Sequence, residues 1–332
     1  MDRPGALADL RAAVTRFAGE HIPRDSGWCV ALSGGPDSLA LTAAAAALRP
    51  TTALIVDHQL QQDSAEVART ARAQALTLGC VAARVLRVEV GAVGGPEAAA
   101  RSARYAALDE ARAGAAVLLA HTLDDQAETV LLGLGRGSGP RSIAGMRSYD
   151  PPWGRPLLGV RRAVTAAACA ELQLTPWSDP HNTDARFTRV RLRTEVLPLL
   201  EDVLGGGVAE ALARTADALR ADGEVLDVLA AQVLDRACRA DGLAVSELTG
   251  VAPAVRRRVL RAWLLAGGAR GLTDRHIRGV EALVSAWHGQ GGVAVPGSHP
   301  GHRLFAARRA GTLTLHIEPV RRTASAGPQL PS

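Results

Sequence analysis

Within the first 135 residues, short apolar runs alternate with longer helical patterns, and this alternation restricts the fold more than any other feature of the chain. The runs Trp28-Cys29-Val30-Ala31-Leu32, Ala53-Leu54-Ile55-Val56, Val81 to Val88 and Ala116-Val117-Leu118-Leu119-Ala120 read as buried strands. The segments between and after them, 37–48, 62–78, 96–113 and 123–134, carry helical spacing. Strands and helices alternating at this spacing predict a parallel sheet covered on both faces. Ligands of such sheets bind beyond the carboxyl ends of the strands. Ser33, Asp57, His58 and His121 each follow an apolar run, so all four are expected at that edge.

The fold class expected is therefore α/β, a doubly wound parallel sheet, followed by a helical segment and a small α+β C-terminal domain. The sign of the charge supports the division. Residues 201–250 hold ten acidic residues and four arginines, whereas residues 251–332 hold twelve arginines and three acids. The swing predicts a boundary at Gly205-Gly206-Gly207: a catalytic domain over 1–204, a helical connector and basic C-terminal domain over 205–320, and a disordered tail over 321–332. Gly291 to Ile317 reads as short strands with Gly and Pro turns.

Composition excludes several chemistries. All 38 basic residues are arginine, so neither a Walker-type phosphate lysine nor a Schiff-base lysine exists. Cys29, Cys80, Cys169 and Cys238 form no C-x-x-C pair, which argues against a zinc knuckle or an iron–sulfur site and fits reduced thiols in the cytoplasm. No uncharged apolar run reaches 18 residues, and the N-terminus lacks the core of a signal peptide. Aromatics are only 3% against 47% apolar residues, so the core must be built from Ala, Leu and Val.

The chemistry concentrates in three places. Ser33-Gly34-Gly35-Pro36-Asp37-Ser38 stands where a strand ends and a helix begins. Glycines let backbone N–H groups approach a phosphate, the helix N-terminus favours negative charge, and Asp37 beside a polyphosphate calls for a magnesium ion between them. In His121-Thr122-Leu123-Asp124-Asp125-Gln126-Ala127-Glu128, Asp125 and Glu128 share one face of a helix's first turn. The pair can grip a substrate ammonium or hold magnesium. Arg101 and Arg104 share a helix face, and Arg186, Arg189, Arg191 and Arg193 form a second basic group, Arg256, Arg257, Arg258 and Arg261 a third. Guanidinium forks suit phosphate.

The Ser33–Ser38 string resembles the S-G-G-x-D-S loop of the ATP pyrophosphatase (PP-loop) superfamily. With Val56-Asp57-His58, Ala100-Arg101-Ser102-Ala103-Arg104-Tyr105, the His121–Glu128 stretch, Arg136-Gly137-Ser138-Gly139, Arg155-Pro156-Leu157-Leu158, Trp177 to Asn182, and Arg189-Val190-Arg191 ahead of Pro198, the ordered set is similar to the tRNA(Ile)-lysidine synthase family over residues 28–200. The resemblance implies an adenine nucleotide alpha-hydrolase-like fold and ligation of lysine to carbon 2 of the wobble cytidine in a CAU anticodon, through an adenylated base. It implies ATP as substrate with Mg2+ on Asp37, ATP contacts from Ser33, Gly34, Gly35, Pro36, Asp37, Ser38 and Asp57, and catalytic roles for Asp37, Arg101, His121 and Asp125. L-Lysine would be bound by Asp125 and Glu128, and tRNA by Arg104, Arg189, Arg191, Arg193, Arg256 and Arg257. His121 and a carboxylate both stand as candidates for the proton acceptor. A homodimer is carried as the assembly, although no residue pattern specifies it. A tRNA cytidine thiolase, a small-molecule amidating synthetase and an inactive tRNA-binding protein are the rival readings. The first calls for paired cysteines, the second leaves the basic C-terminal region without a purpose, and the intact Asp37, Asp125 and Glu128 oppose the third.

Overall fold

A computed structural model describes residues 5–59, 63–91, 95–137, 139–179, 184–297 and 302–319. Ser138, Pro180-His181-Asn182 and the expected tail 321–332 lie outside the described residues. The chain divides into two units, Met1–Gly135 with Ile143–Asp217, and Arg136–Ser142 with Ala218–Ser332.

The first unit runs α1 (Ala6–His21), β1 (Trp28–Ala31), α2 (Pro36–Ala46), β2 (Thr51–Asp57), α3 (Ser64–Thr77), β3 (Ala82–Arg87), α4 (Pro96–Ala111), β4 (Ala116–Leu118) and α5 (Leu123–Gly135). A four-residue helix α6 (Pro140–Ile143) precedes the hairpin strands β5 (Tyr149–Asp150) and β6 (Trp153–Gly154), then α7 (Arg162–Glu171). The strands form one sheet in the order β3-β2-β1-β4-β6-β5, parallel except for the β5–β6 pair. All four expected strands and all four expected helices are present. The hairpin adds an edge that two-residue strands are too short to announce by periodicity.

β1 is buried along its whole length, as a strand covered on both faces must be. Its polar side-chain atoms are satisfied: Trp28 Nε1 donates to Thr51 Oγ1 at 2.7 Å and Cys29 Sγ to Arg112 O at 3.9 Å. One face packs Leu10, Val14, Leu39, Leu41 and Ala44 against Val30 and Leu32, and the other packs Leu108 and Leu119 against Cys29 and Ala31. α2 is buried from Ser38 to Ala45, and its four consecutive alanines give side chains small enough for the helix to lie deep within the unit.

After α8 (Thr188–Arg191) the backbone makes a π-helical turn at Leu192–Val196, then α9 (Leu197–Val203) and α10 (Val208–Ala237). Gly205, Gly206 and Gly207 form the loop between the last two, with positive φ of 79°, 90° and 75°. The division of the chain falls after Asp217, inside α10 rather than at the glycines. Ala209 near the start of α10 packs with Leu123, Ala127 and Leu197, whereas Ala230, Val233 and Ala237 belong to the core of the second unit.

The second unit continues with β7 (Cys238–Arg239), β8 (Gly242–Ala244), α11 (Ser246–Thr249), α12 (Pro253–Ala266), α13 (Asp274–Ser285), β9 (Val293–Val295), β10 (His302–Arg309) and β11 (Thr312–Pro319). Its sheet is antiparallel throughout, in the order β7-β8-β11-β10-β9. Short strands are expected near the C-terminus, but β10 and β11 are eight residues long, and β7 and β8 lie before the stretch in which strands are expected. Among the described residues, no helix is long and apolar enough to cross a membrane.

Candidate active site

The glycine-rich bend forms where β1 gives way to α2. Gly34 has φ of +85°, a left-handed conformation that costs glycine nothing, and Gly35 is the extended residue that precedes the helix. Pro36 opens α2 at a position where its missing N–H is not needed. The hydroxyl of Ser38 closes the bend: it accepts from Ser33 N at 3.2 Å, donates to Gly35 O at 2.9 Å and lies 3.1 Å from Ser33 Oγ. Trp177 N donates to Gly34 O at 2.9 Å and pins the outer side.

Beside this bend lies a cavity of about 300 Å³, lined by Ser33, Val56, Asp57, His58, Val67, Arg104 and Trp177 among others. Its floor is the carboxyl edge of β1 and β2, the place the alternating pattern predicts. Asp57 is buried and accepts from Gln59 N at 3.0 Å, which holds the turn after β2. His58 carries a buried Nδ1 without a partner, and burial, then Arg104, lowers its pKa against the pull of Asp57. Arg104, expected on tRNA phosphate, lines this cavity.

A second cluster lies where α5 and α7 begin. Thr122 and Asp125 cap α5 reciprocally: Asp125 Oδ2 accepts from Thr122 N and Oγ1, both at 2.8 Å, and Asp125 N donates to Thr122 Oγ1 at 3.4 Å. The other oxygen, Oδ1, faces Arg162 Nη2 at 2.6 Å. One carboxylate thus serves as a cap and as a site group. Asp124 caps α7, accepting from Arg162 N at 2.7 Å. Arg162 then reaches three carboxylates, with Nε 3.3 Å from Asp37, Nη2 2.6 Å from Asp125 and Nη1 3.5 Å from Glu128. Thr165, one turn on, donates to Asp37.

These contacts set the charges. Burial pushes Asp37 up, and Thr165 and Arg162 only partly offset it. Burial would raise Asp125 too, but Arg162, the two donors of Thr122 and His121 hold it below the ordinary carboxylate range. Burial opposes the charge on Arg162, and Asp125, Asp37, Glu128 and Asp124 overcome it and raise its pKa. His121 sits three residues past β4 with Nδ1 buried and unpartnered. Burial first, then Arg155, Arg104 and Arg101, against Asp125, push its pKa down to about 4. It is neutral near pH 7. Arg101 is exposed, with its guanidinium 5.0 Å over the ring of Tyr105.

The arginines assigned to tRNA separate into different environments. Arg191 is exposed and paired with Glu195, and Arg189 is half-exposed with Nη1 3.9 Å from Glu128. Arg193 turns inward: Nε lies 2.8 Å from Glu128 Oε1 and Nη2 3.3 Å from Oε2. The tRNA role expected of Arg256 is corrected outright. The residue is 7% exposed, contacts Glu281 at 3.1 Å and 3.2 Å and donates to Val251 O at 3.0 Å, so it holds the second unit together and cannot present a charge to nucleic acid. Arg257, next to it, shares Glu281 at 2.6 Å and keeps a third of its side chain in solvent. Arg162 and Thr165 are site residues that no local pattern in the sequence announces.

Fold and bend together define an ATP-using PP-loop protein, and a family model described as PP-loop domain matches residues 8–200. A second model, TilS substrate binding domain, matches residues 243–314. The chain is 70% identical to the tRNA(Ile)-lysidine synthase of Mycolicibacterium paratuberculosis over 321 residues, 97% of this chain and 100% of that protein. It is 66% identical to that of Mycobacterium leprae, covering 96% and 100%. The chain belongs to the tRNA(Ile)-lysidine synthase family. Among solved structures, the U34-tRNA thiolase NcsA from Methanococcus maripaludis matches with a TM-score of 0.53 at 16% identity, over 64% of this chain and 79% of that one, a likeness of fold.

Proposed function

We propose that the protein ligates L-lysine to carbon 2 of the wobble cytidine in the CAU anticodon of tRNA(Ile), consuming ATP and releasing AMP and pyrophosphate. The observation that carries this reading is the pairing of two adjacent sites at one sheet edge: a glycine-rich bend beside a cavity, and a cluster of Asp37, Asp125 and Glu128 within reach of one guanidinium.

ATP lies with adenosine in the cavity beside Asp57 and its phosphates over the N–H groups of Gly34, Gly35, Asp37 and Ser38. A magnesium ion brought in by the triphosphate would take Asp37 as its protein ligand and neutralise the departing pyrophosphate. Among the described residues there is no preformed cluster of three acidic, histidine or cysteine ligands, and a single carboxylate completed by phosphates and water is what this ion commonly accepts. The cytidine O2 attacks the α-phosphorus and pyrophosphate leaves. The lysine ε-amine then attacks carbon 2, the bond from carbon 2 to the adenylate oxygen breaks, and AMP leaves. Asp125 and Glu128 orient the amino acid, while neutral His121 or a carboxylate accepts the proton that the amine sheds. Arg101 and Arg104 face the phosphates, and Arg189, Arg191 and Arg257 supply sequence-independent contacts to the tRNA backbone. tRNA processing of this kind belongs in the cytoplasm.

The test is incubation with ATP, radiolabelled lysine and bulk bacterial tRNA. Label in the RNA, with AMP and pyrophosphate in equal amounts, is the expected result. ADP with orthophosphate, or AMP release indifferent to lysine, would sink it. Asp37→Ala is expected to lower tRNA-dependent pyrophosphate release about 100-fold or more, on the scale of losing electrostatic stabilisation of a leaving group.

A further inference from the structure

Glu128 is fully covered. Its side chain has no solvent exposure, and Arg193, Arg162 and Arg189 stand around it at 2.8, 3.5 and 3.9 Å. Asp125, its partner on the same face of α5, retains 17%. An amino acid arriving from solvent therefore cannot reach Glu128 while these guanidinium groups stay in place. One of them must leave.

The three are held differently. Arg162 is fixed: three carboxylates hold its guanidinium, Asp124 holds its backbone N–H, and it begins a ten-residue helix. Arg189 is at the margin, 3.9 Å from Glu128 and with its nearest bond, to Thr129, at 3.4 Å. Arg193 has the contact that a ligand's cation would need. Its Nε and Nη2 engage both oxygens of Glu128, and Nη2 lies 3.6 Å from Asp125 Oδ1. It bridges the same two carboxylates. It is also 31% exposed, and it rides on the π-helical turn Leu192–Val196. Such a turn carries an extra residue per hydrogen-bonded loop, and single turns of this kind occur frequently at functional sites.

We propose that Arg193 is an internal occupant of the amine site, which fills the Asp125–Glu128 pair in the empty enzyme and must swing out before lysine is bound. This rests on the assignment of that pair to lysine. The chemistry favours the exchange once nucleotide is present: a guanidinium released from Glu128 finds strong bidentate partners in phosphate oxygens, and the carboxylate it vacates takes the ammonium. Lysine then binds well only after the anionic substrate has drawn Arg193 away. The amino acid and Arg193 compete for one pair of charges, so removing one strengthens the other's hold.

The measurement is calorimetric titration of L-lysine into the full-length protein without ATP or tRNA, for wild type, Arg193→Ala and Arg193→Gln. Both variants are expected to bind lysine about ten-fold more tightly than wild type, or better, and Glu128→Gln added to either should abolish the gain. Adding a non-hydrolysable ATP analogue should tighten wild-type lysine binding and leave Arg193→Ala nearly unmoved. Binding in both variants equal to or weaker than wild type overturns the occupant role and makes Arg193 a support for the pocket. The glutamine variant keeps much of the bulk of the side chain, so a loss of folding in the alanine variant does not leave the question open. If wild-type protein with ATP and tRNA transfers no lysine to RNA, it is the functional reading that fails, whatever the titrations give.

Discussion

At the scale of single residues, His121 illustrates how surroundings decide a role. A histidine beside a reacting amine is the natural proton acceptor by its ordinary pKa, but burial and three arginines hold this one at about 4. An ammonium of pKa about 10.4 gives up its proton to such a group only at a cost of roughly 9 kcal/mol. On the proposed reading, anionic phosphates placed among Arg155, Arg104 and Arg101 would cancel part of that depression and make His121 a better base in the nucleotide complex. The empty protein carries a testable consequence. The unfolded histidine protonates near 6.5 whereas the folded one resists until about 4, so the unfolded state binds more protons in that window. The stability this provides is complete above pH 6.5 and is withdrawn as the pH falls to 4, by about 3 kcal/mol. Denaturant midpoints measured from pH 7 to 4 should fall more steeply for wild type than for His121→Gln. Parallel curves would show that the ring is not held neutral. At neutral pH, Glu128→Gln should raise the KM for lysine about ten-fold or more, on the scale of a lost charge-assisted hydrogen bond, while lysine-independent adenylation of tRNA persists. Equal loss of both steps would remove Glu128 from amino-acid recognition.

At the scale of elements, the bend between β1 and α2 depends on one backbone conformation. A Cβ on Gly34 would meet Ala71 Cβ and Trp177 Cβ at 3.7 Å, ordinary contact distance, so space does not exclude a larger residue. The φ of +85° excludes it instead. Gly34→Ala should therefore cost about 1–2 kcal/mol from the left-handed backbone alone. The strain is relieved most easily by displacing the N–H groups of the bend, which the proposed function assigns to phosphate, so the KM for ATP should rise several-fold alongside a lower melting temperature. A variant that loses stability but keeps its KM would show that the loop regains its shape under load. This bend, the strand ends and the α5 carboxylates are legible in the sequence because each is a local pattern: an apolar run, then glycine, or two acids three apart. The contribution of α7 is not. Arg162 and Asp37 are 125 positions apart, and nothing local in Gly-Val-Arg-Arg-Ala says which arginine turns toward the bend. Arg193 reads as a tRNA contact because a run of arginines looks like a solvated basic face, and the π-helical turn that rotates it inward breaks the helical phase on which such a reading depends.

Across the whole molecule, the swing of charge from residues 201–250 to 251–332 overstates how much positive charge the second unit presents. The phase of α12 explains the difference. Val255, Val259, Leu260 and Leu264 define its buried stripe, and Arg256, three before Val259 and four before Leu260, falls on it. Arg257 is turned about 100° away. Three consecutive arginines thus meet three fates: Arg256 is committed to Glu281 and to the Val251 carbonyl just after α11, Arg258 pairs with Asp227 at 2.8 Å, and Arg257 is partly in solvent. The two neighbours should therefore respond to mutation in opposite ways. Arg256→Ala leaves a buried carboxylate without its main partner and should cost about 3–5 kcal/mol of stability. Arg257→Ala removes a partly exposed pair and should cost less than about 1 kcal/mol. For tRNA the order reverses. Removing the guanidinium at position 257 should weaken binding and reduce the slope of log affinity against log salt by nearly one counterion, while Arg256→Ala, measured below its lowered melting temperature, should leave that slope unchanged. Filter binding at several salt concentrations beside thermal melts separates the two effects. A salt slope that falls for Arg256→Ala and not for Arg257→Ala would mean that the burial of α12 is wrongly assigned and that its basic face is presented by the other arginine.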